Sequence, residues 1–325
     1  MHQHHKSKKQ LYLVILLKVV TFLVLASSSL TYFRSTNWLV ELFANFQLQY
    51  TLIFLSLTLF WIWLKKPLWG VMTTFAFIFN FLTLLPFYFQ PTVTAALPVN
   101  SSEKIRILFA NFNYNNENFD QFAGLVQENQ PDIVAMVELP DNHFQSLKQL
   151  LTPYTQTHHV AARGQLGLAL YVKPTLKATF ETKRLENLER YPFVVATLEQ
   201  SSGIKATLFL IHPPPPITAQ ASETRNQILL SIASLAAETD GPVMVVGDFN
   251  STSWSAIFNQ MLETGNLTDS RLNFGLQPSW PQFLPKIFRI PIDHVLVKNI
   301  NVIDRKIMTE VGSDHLPVLV DFETN

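Results

Sequence analysis

"VVGDFNSTSW", Val245 to Trp254, is the stretch on which the reading turns. Two branched apolar residues run into a glycine, and Asp248 and Asn250 then follow on either side of Phe249. The run before them, "PVMVVG" (Pro242–Gly247), has the length and composition of a buried strand. Alternate residues of an extended chain share a face, so the spacing predicts that Asp248 and Asn250 point the same way as the strand ends.

The same ending recurs along the chain. Asn111 and Asn113 close "KIRILFANF" (Lys104–Phe112), Glu138 closes "PDIVAMVEL" (Pro131–Leu139), and His212 closes "KATLFLIH" (Lys205–His212). Asp293 opens "IDHVLV" (Ile292–Val297), and Asp314 with His315 precede "LPVLVDF" (Leu316–Phe322). "GLALYVK" (Gly167–Lys173) and "PFVVATLE" (Pro192–Glu199) are further strand candidates. A helix is expected over Asn118–Asn129, with Phe119, Phe122, Leu125 and Val126 along one face, and a longer one from about Ala219 to Ala237. Near-continuous apolar strands mixed with amphipathic helices indicate an α/β domain whose sheet faces are covered. Strand ends can converge on one rim of such a domain.

Those polar ends have a joint chemical reading. Glu138 with Asn111 or Asp314 offers hard oxygen ligands of the kind that Mg²⁺ or Mn²⁺ prefers. Histidines beside carboxylates can move protons near neutral pH. Taken singly, each residue has a plainer explanation. Glu138 fits an exposed strand end, "GDFN" an ordinary turn, and His212 a loop residue before Pro213–Pro216. His294 reads as a packing or surface histidine, and His143, His158 and His159 are expected in solvent. The plain explanations do not account for the same ending at strand after strand.

The first 100 residues differ from the rest. They hold only eight charged side chains, Lys6, Lys8, Lys9, Lys18, Arg34, Glu41, Lys65 and Lys66. Three apolar stretches, roughly Leu11–Leu30, Tyr50–Leu64 with its polar lead-in, and Leu68–Phe89, approach the ~20 residues that a helix needs to cross a bilayer core about 30 Å thick. The first could instead be a cleaved signal peptide, but two further spans favour an anchor. Lys18 inside the first must snorkel or face a neighbouring helix. The basic start and the "KKP" turn (Lys65–Pro67) belong in the cytoplasm by the positive-inside rule, so three crossings deliver the remainder to the extracytoplasmic side. The absence of cysteine is compatible with an oxidising compartment. The proline-bearing, small-residue segment after Gln90 suits a tether. From Ser101 onward, 17 Lys and Arg stand against 23 Asp and Glu, a formal charge of −6. That balance, without a basic cluster, argues against high-affinity DNA binding.

The chain resembles the endonuclease/exonuclease/phosphatase superfamily, whose branches include DNase I, exonuclease III, neutral sphingomyelinase and the inositol-polyphosphate phosphatases. The matching pieces are "ILFANFN" (Ile107–Asn113), "PDIVAMVEL", "LFLIH" (Leu208–His212), "VVGDFN" (Val245–Asn250), "PIDHVLV" (Pro291–Val297) and "GSDHLPV" (Gly312–Val318), in the family's order across residues 104–323. Arg225 and Trp280-Pro281 are weaker points of likeness. The resemblance implies a four-layer α/β/β/α sandwich with its active site on a rim. It also implies roles: Glu138 as the principal metal carboxylate, with Asn111 and Asp314 near the ion, and His315 as general base or phosphate-contacting imidazole, oriented by Asp293. Asp248 would align the nucleophilic water, Asn250 would donate to the phosphate, and His212 would contact phosphate or assist the leaving group. Asn113 stands where the exonuclease III branch commonly has an aspartate, which weakens the case for a second metal.

The expected organisation is therefore a membrane anchor of about three transmembrane helices over 1–92, a linker over 93–103, and a catalytic domain over 104–325. The expected activity is Mg²⁺- or Mn²⁺-dependent hydrolysis of a phosphodiester, the substrate being nucleic acid, a phospholipid or a small phosphate ester. The expected setting is the inner membrane, with the lipid bilayer as partner, no protein partner, and the catalytic domain in the periplasm if the cell is Gram-negative. The competing reading is a non-catalytic membrane-tethered interaction module that keeps the fold; it leaves the retained polar set unexplained.

Overall fold

The structure is a computed structural model that describes residues 2–33, 37–90, 104–161 and 164–324. The expected linker, 93–103, lies outside the described residues. Two compact units are present, a helical one running to Pro86 and an α/β one beginning at Phe87.

The helical unit contains α1 (His2–Leu30), the short α2 (Trp38–Phe43), α3 (Gln47–Trp63) and α4 (Pro67–Leu82). Three stretches, Leu11–Phe33, Trp38–Trp63 and Pro67–Phe87, are long and apolar enough to cross a membrane. The second begins earlier than the apolar run at Tyr50 suggested, because its polar lead-in is itself helical. Asn37 caps α2 by accepting the Leu39 N–H, and the buried Gln47 donates to Thr31 Oγ1 at 3.0 Å. Large apolar side chains such as Leu16, Phe22, Leu59 and Phe75 are exposed, while hydroxyls and amides lie inside. Trp61 Nε1 donates to Thr21 Oγ1 at 3.1 Å, Thr58 to Thr73 at 3.0 Å, and Ser28 to Asn80 Oδ1 at 3.1 Å. Apolar side chains on the outside with interhelical hydrogen bonds inside are compatible with helices in lipid, where such bonds assist association. Lys18 faces a neighbouring helix, its Nζ 5.7 Å from the centre of the Trp69 ring.

The α/β unit is built on two six-stranded sheets. The first has the order β11 (Ile300–Ile307), β12 (Val318–Thr324), β1 (Lys104–Asn111), β2 (Ile133–Val137), β4 (Leu168–Val172), β3 (Gln156–Val160). The second has the order β5 (Lys177–Arg184), β6 (Pro192–Glu199), β7 (Lys205–Ile211), β8 (Val243–Asp248), β10 (Asp293–Lys298), β9 (Thr268–Asp269). Each sheet has one parallel pair near its middle, β1 with β2 and β7 with β8, and its other pairs are antiparallel.

Period-two alternation divides every inner strand between two cores. Ile107, Phe109, Ala135, Val137, Leu208, Leu210, Met244, Val246, Val295, Val318 and Val320 meet between the sheets. Their neighbours Leu108, Ala110, Val134 and Met136 pack instead under α5 (Phe119–Asn129) and α6 (Asp141–Leu150), through Phe122, Leu125, Val126, Phe144 and Leu147. Phe209, Ile211, Val245 and Leu296 pack under α7 (Ala219–Glu238) and α8 (Ala256–Gly265). The result is the expected four-layer α/β/β/α sandwich. Each fully buried Val, Leu or Phe in these cores contributes roughly 1.5–3 kcal/mol. A strand with both faces apolar therefore has no stable alternative in solvent.

Candidate active site

The alternation that builds the inter-sheet core also aims the polar residues. Continuing the inter-sheet parity by one step brings β1 from Phe109 to Asn111, β7 from Leu210 to His212, and β8 from Val246 to Asp248. Running β10 backwards from Val295 gives Asp293, which pairs directly with Asp248 in the antiparallel ladder. Four strands thus exchange apolar for polar side chains on the same inward face, at the same rim. Asn111, His212, Asp248 and Asp293 are all buried.

Three further residues leave the strands in the left-handed region, Asn113 at φ +61°, Glu138 at +55° and Asn250 at +50°. The conformation is uncommon for non-glycine residues, and a buried glutamate held in it among other polar groups points to function. Asn250 therefore does not share a strand face with Asp248, as simple alternation suggested. The strand stops at Asp248, whose Oδ1 accepts the Asn250 N–H at 2.9 Å and folds the chain into a turn. Asn250 Nδ2 donates to Pro213 O at 3.1 Å, and Arg225 Nη1 donates to Asn250 O at 2.9 Å, so the turn is held from both sides.

The Glu138 backbone is clamped as well. Leu139 N–H donates to Gly167 O at 3.1 Å, and a Cβ on Gly167 would stand 2.0 Å from Leu139 O. Only glycine permits that approach. His159 Nε2–H donates to the same Leu139 carbonyl at 3.0 Å, with its ring stacked 4.3 Å from Phe144. His159 is thus half-buried rather than solvated. His158 likewise stacks on Phe180, and His143 is buried edge-on against Phe112 and Phe119, because α6 and β3 lay unrecognised in the sequence.

At the centre, Asn111 Nδ2 donates to Glu138 Oε1 at 3.0 Å and to Asp248 Oδ2 at 3.2 Å. His212 Nδ1–H donates to Gln165 O at 2.9 Å, which turns its Nε2 toward Glu138 and Asp248, each at 3.8 Å. From the other side, His315 Nδ1–H donates to Asp293 Oδ2 at 2.9 Å, and its Nε2 lies 3.7 Å from Asp248 Oδ2. Ser313 fixes this loop, its Oγ donating to Asn111 O and accepting the His315 N–H. Asp314 sits beside this group, both oxygens occupied: Asn113 Nδ2 donates to Oδ1 at 2.7 Å and Trp280 Nε1 to Oδ2 at 3.0 Å.

Electrostatics follow from this crowding. Burial pushes the Asp248 carboxyl above its ordinary range, Asp293 adds to the rise, and the two imidazoles only partly offset it. Burial would lower His315, but the charges of Asp293 and Asp248 outweigh it and hold the imidazole protonated well above neutrality. Burial would raise Asp314 too, yet its two donors and the His315 charge keep it below the usual carboxylate range.

Ligand atoms of Asp248, Asp293 and His315 lie within 4.8 Å of one another. This trio is better suited to protons than to a cation, since the Nδ1 of His315 spends its hydrogen on Asp293. Hard divalent ions take carboxylate oxygens, and Glu138 Oε2 has no hydrogen-bond donor among the described residues. The surplus of carboxylates, Glu138, Asp248, Asp293 and Asp314 around two imidazoles, fits a cation.

Beneath the rim lies a polar layer that no motif announced. The fully buried Arg271 pairs with Asp269 at 2.9 Å, and Arg305 donates to Ser270 Oγ at 3.0 Å and to the Asp293 carbonyl at 3.2 Å. His294 is packed between Phe249 and Phe258, its Nε2–H donating to Ser251 O at 2.8 Å. Lone arginines and a lone aspartate carry no spacing that could have marked them.

Residues 104–315 match the Endonuclease/Exonuclease/phosphatase family. No curated protein shows significant similarity to the sequence. Among solved structures, the α/β unit is similar to an endonuclease/exonuclease/phosphatase from Bacteroides vulgatus, with a TM-score of 0.56 and 20% identity, covering 69% of this chain and 100% of that one. It is similar to D. rerio TDP2 complexed with single-strand DNA product, with a TM-score of 0.57 and 18% identity over 68% of this chain and 100% of that one. A mannosyl-6-phosphatase from Bacteroides thetaiotaomicron gives 0.53 and 17% over 67% and 99%.

Proposed function

The chain belongs to the Endonuclease/Exonuclease/phosphatase family, which makes it a hydrolase of phosphate ester bonds, and from the rim geometry we propose a membrane-anchored, divalent-metal-dependent phosphodiesterase. The observation that carries the proposal is the single contact network joining Glu138, Asn111, Asp248, His212, His315 and Asp293.

Glu138, with Asn111 and Asp314 close by, would hold Mg²⁺ or Mn²⁺, which when bound neutralises charge developing on the phosphate. Asp248 receives the nucleophilic water and takes its proton, a task helped by a carboxyl whose burial makes it a stronger base than usual. His315, protonated and steadied by Asp293, donates a charged hydrogen bond to the phosphate rather than acting as base. The His212 Nε2 side faces the same space and serves the phosphate or the departing oxygen. Asn250 adds a further amide hydrogen toward the phosphate, its other one being spent on Pro213 O.

Three apolar helices of spanning length support the anchor. The basic flanks at the start and at Lys65–Lys66 favour an inner-membrane protein with its hydrolase unit on the extracytoplasmic, periplasmic side. The −6 charge favours a lipid-linked or small phosphodiester over bulk nucleic acid.

The test uses the full chain in detergent with bis(4-nitrophenyl) phosphate. Turnover in Mg²⁺ or Mn²⁺ that disappears in chelator and in Glu138→Ala supports the reading. Equal turnover with and without metal, or none at all, rejects it and leaves the non-catalytic module.

A further inference from the structure

A cavity opens next to His212. It holds about 150 Å³ and is walled by Leu166, Tyr191 and three successive prolines, Pro213 to Pro215, with Arg190 along its edge. His212 belongs to both spaces: its Nδ1–H is fixed on the Gln165 carbonyl while its Nε2 faces the carboxylates. A group that fills this cavity therefore packs against the same imidazole that faces the rim carboxylates.

The walls are rigid. Proline rings fix their own φ, so the Pro213–Pro215 side cannot collapse into the space. Tyr191 N–H donates to Leu188 O at 2.9 Å, Leu188 N–H to Leu185 O at 3.1 Å, and all three side chains pack against the outer core of the second sheet. A cavity of about this volume is known to take one benzene ring. A prebuilt site of that size needs little ordering on binding.

The edge carries a charge. Arg190 is exposed, has no ion-pair partner among the described residues, and lies 5.9 Å from the centre of the Tyr191 ring. A free guanidinium on an otherwise acidic unit is complementary to an anion, which it can grip with two parallel hydrogen bonds.

We infer that this cavity is a substrate subsite for a single six-membered ring, esterified to the reacting phosphate and bearing an anionic substituent that Arg190 recognises. The inference rests on the hydrolase reading above and names the class of group it selects.

Three synthetic diesters test it with the full chain in detergent and Mg²⁺: methyl phenyl phosphate, methyl 4-carboxyphenyl phosphate and methyl 1-naphthyl phosphate, with products separated by chromatography. We expect the lowest KM for the 4-carboxyphenyl diester, about tenfold below the phenyl diester, an advantage of the size a charge-assisted hydrogen bond supplies. The naphthyl diester should bind worst. Arg190→Ala should bring the 4-carboxyphenyl KM to the phenyl value, and Arg190→Glu should reverse the order, while Lys177→Ala on the exposed edge strand leaves it intact. Unchanged thermal midpoints confirm that the variants fold. Turnover of all three diesters with equal KM, or a preference untouched by either Arg190 change, overturns the subsite while the hydrolase stands. If the wild type cleaves none of these and also fails on bis(4-nitrophenyl) phosphate, the hydrolase reading falls and the subsite with it.

Discussion

His315 gives its Nδ1 hydrogen to Asp293 Oδ2 across 2.9 Å while its Nε2 stands 3.7 Å from Asp248. One imidazole is thus pinned between two aspartates of adjacent, directly paired strand positions. Removing the Asp293 charge should lower the His315 pKa, because that charge is the main influence raising it against burial. A protonated His315 is present below its folded pKa and lost above it. Asp293→Asn should therefore move the alkaline limb of the kcat profile to lower pH and reduce kcat about 10²–10⁴-fold, with a smaller change in KM. A profile with an unmoved alkaline limb would show that Asp293 does not act through the imidazole.

Glu138→Gln keeps the shape of the side chain and removes its charge. Metal-dependent turnover should fall by about 10³-fold, and calorimetric titration with Mn²⁺ should lose its binding signal, if this carboxylate is the principal ligand. Retained Mn²⁺ affinity would move the ion to the Asp248 side of the rim.

Gly167→Ala places a methyl 2.0 Å from Leu139 O, a backbone atom that cannot swing aside. The expected cost is about 2–4 kcal/mol in thermal or denaturant unfolding. Because the strained segment carries Glu138, activity should drop even at temperatures where the variant stays folded. Wild-type activity in a folded variant would mean that the Glu138 turn does not depend on this contact.

Burial holds the His294 imidazole down to about 3, far below its ordinary 6.5, so the folded unit keeps it neutral where an unfolded chain would protonate it. Its contribution to stability is complete above pH 6.5 and is lost as pH falls from there toward 3. Between pH 7.5 and 5 the loss should be about 2 kcal/mol, because each tenfold rise in proton concentration below pH 6.5 favours the unfolded chain by about 1.36 kcal/mol. Denaturant unfolding at the two pH values measures it, and His294→Phe should remove most of that difference.

Every strand that the sequence made visible is an inner one. β1, β2, β4, β6, β7, β8, β10 and β12 each have a neighbour on both sides, and most are sealed on both faces, so they appear as unbroken apolar runs. The four missed, β3, β5, β9 and β11, are the edges of the two sheets. "KATFETKR" in β5 alternates exposed and half-buried positions and carries three basic residues, as an edge needs in order to avoid pairing with another molecule. The rim was legible for the same reason as the inner strands: a carboxylate or imidazole ending an apolar run stands out. Asn250 was misplaced because alternation was carried past the end of the strand into a turn. Arg190, Arg271 and Arg305 were invisible because nothing local distinguishes an arginine that meets a cavity or a buried aspartate from one in water.

The tripeptide wall at Pro213 to Pro215 and the bend at Leu185 to Tyr191 lie outside the ladders that aim the acidic and imidazole groups. Lengthening or shortening that bend would alter which molecules are admitted without shifting any ladder partner, whereas one residue inserted into β8 ahead of Gly247 would turn Asp248 outward and bring Gly247 into its place. Selectivity can therefore diverge among descendants of this scaffold while bond cleavage stays locked to strand register.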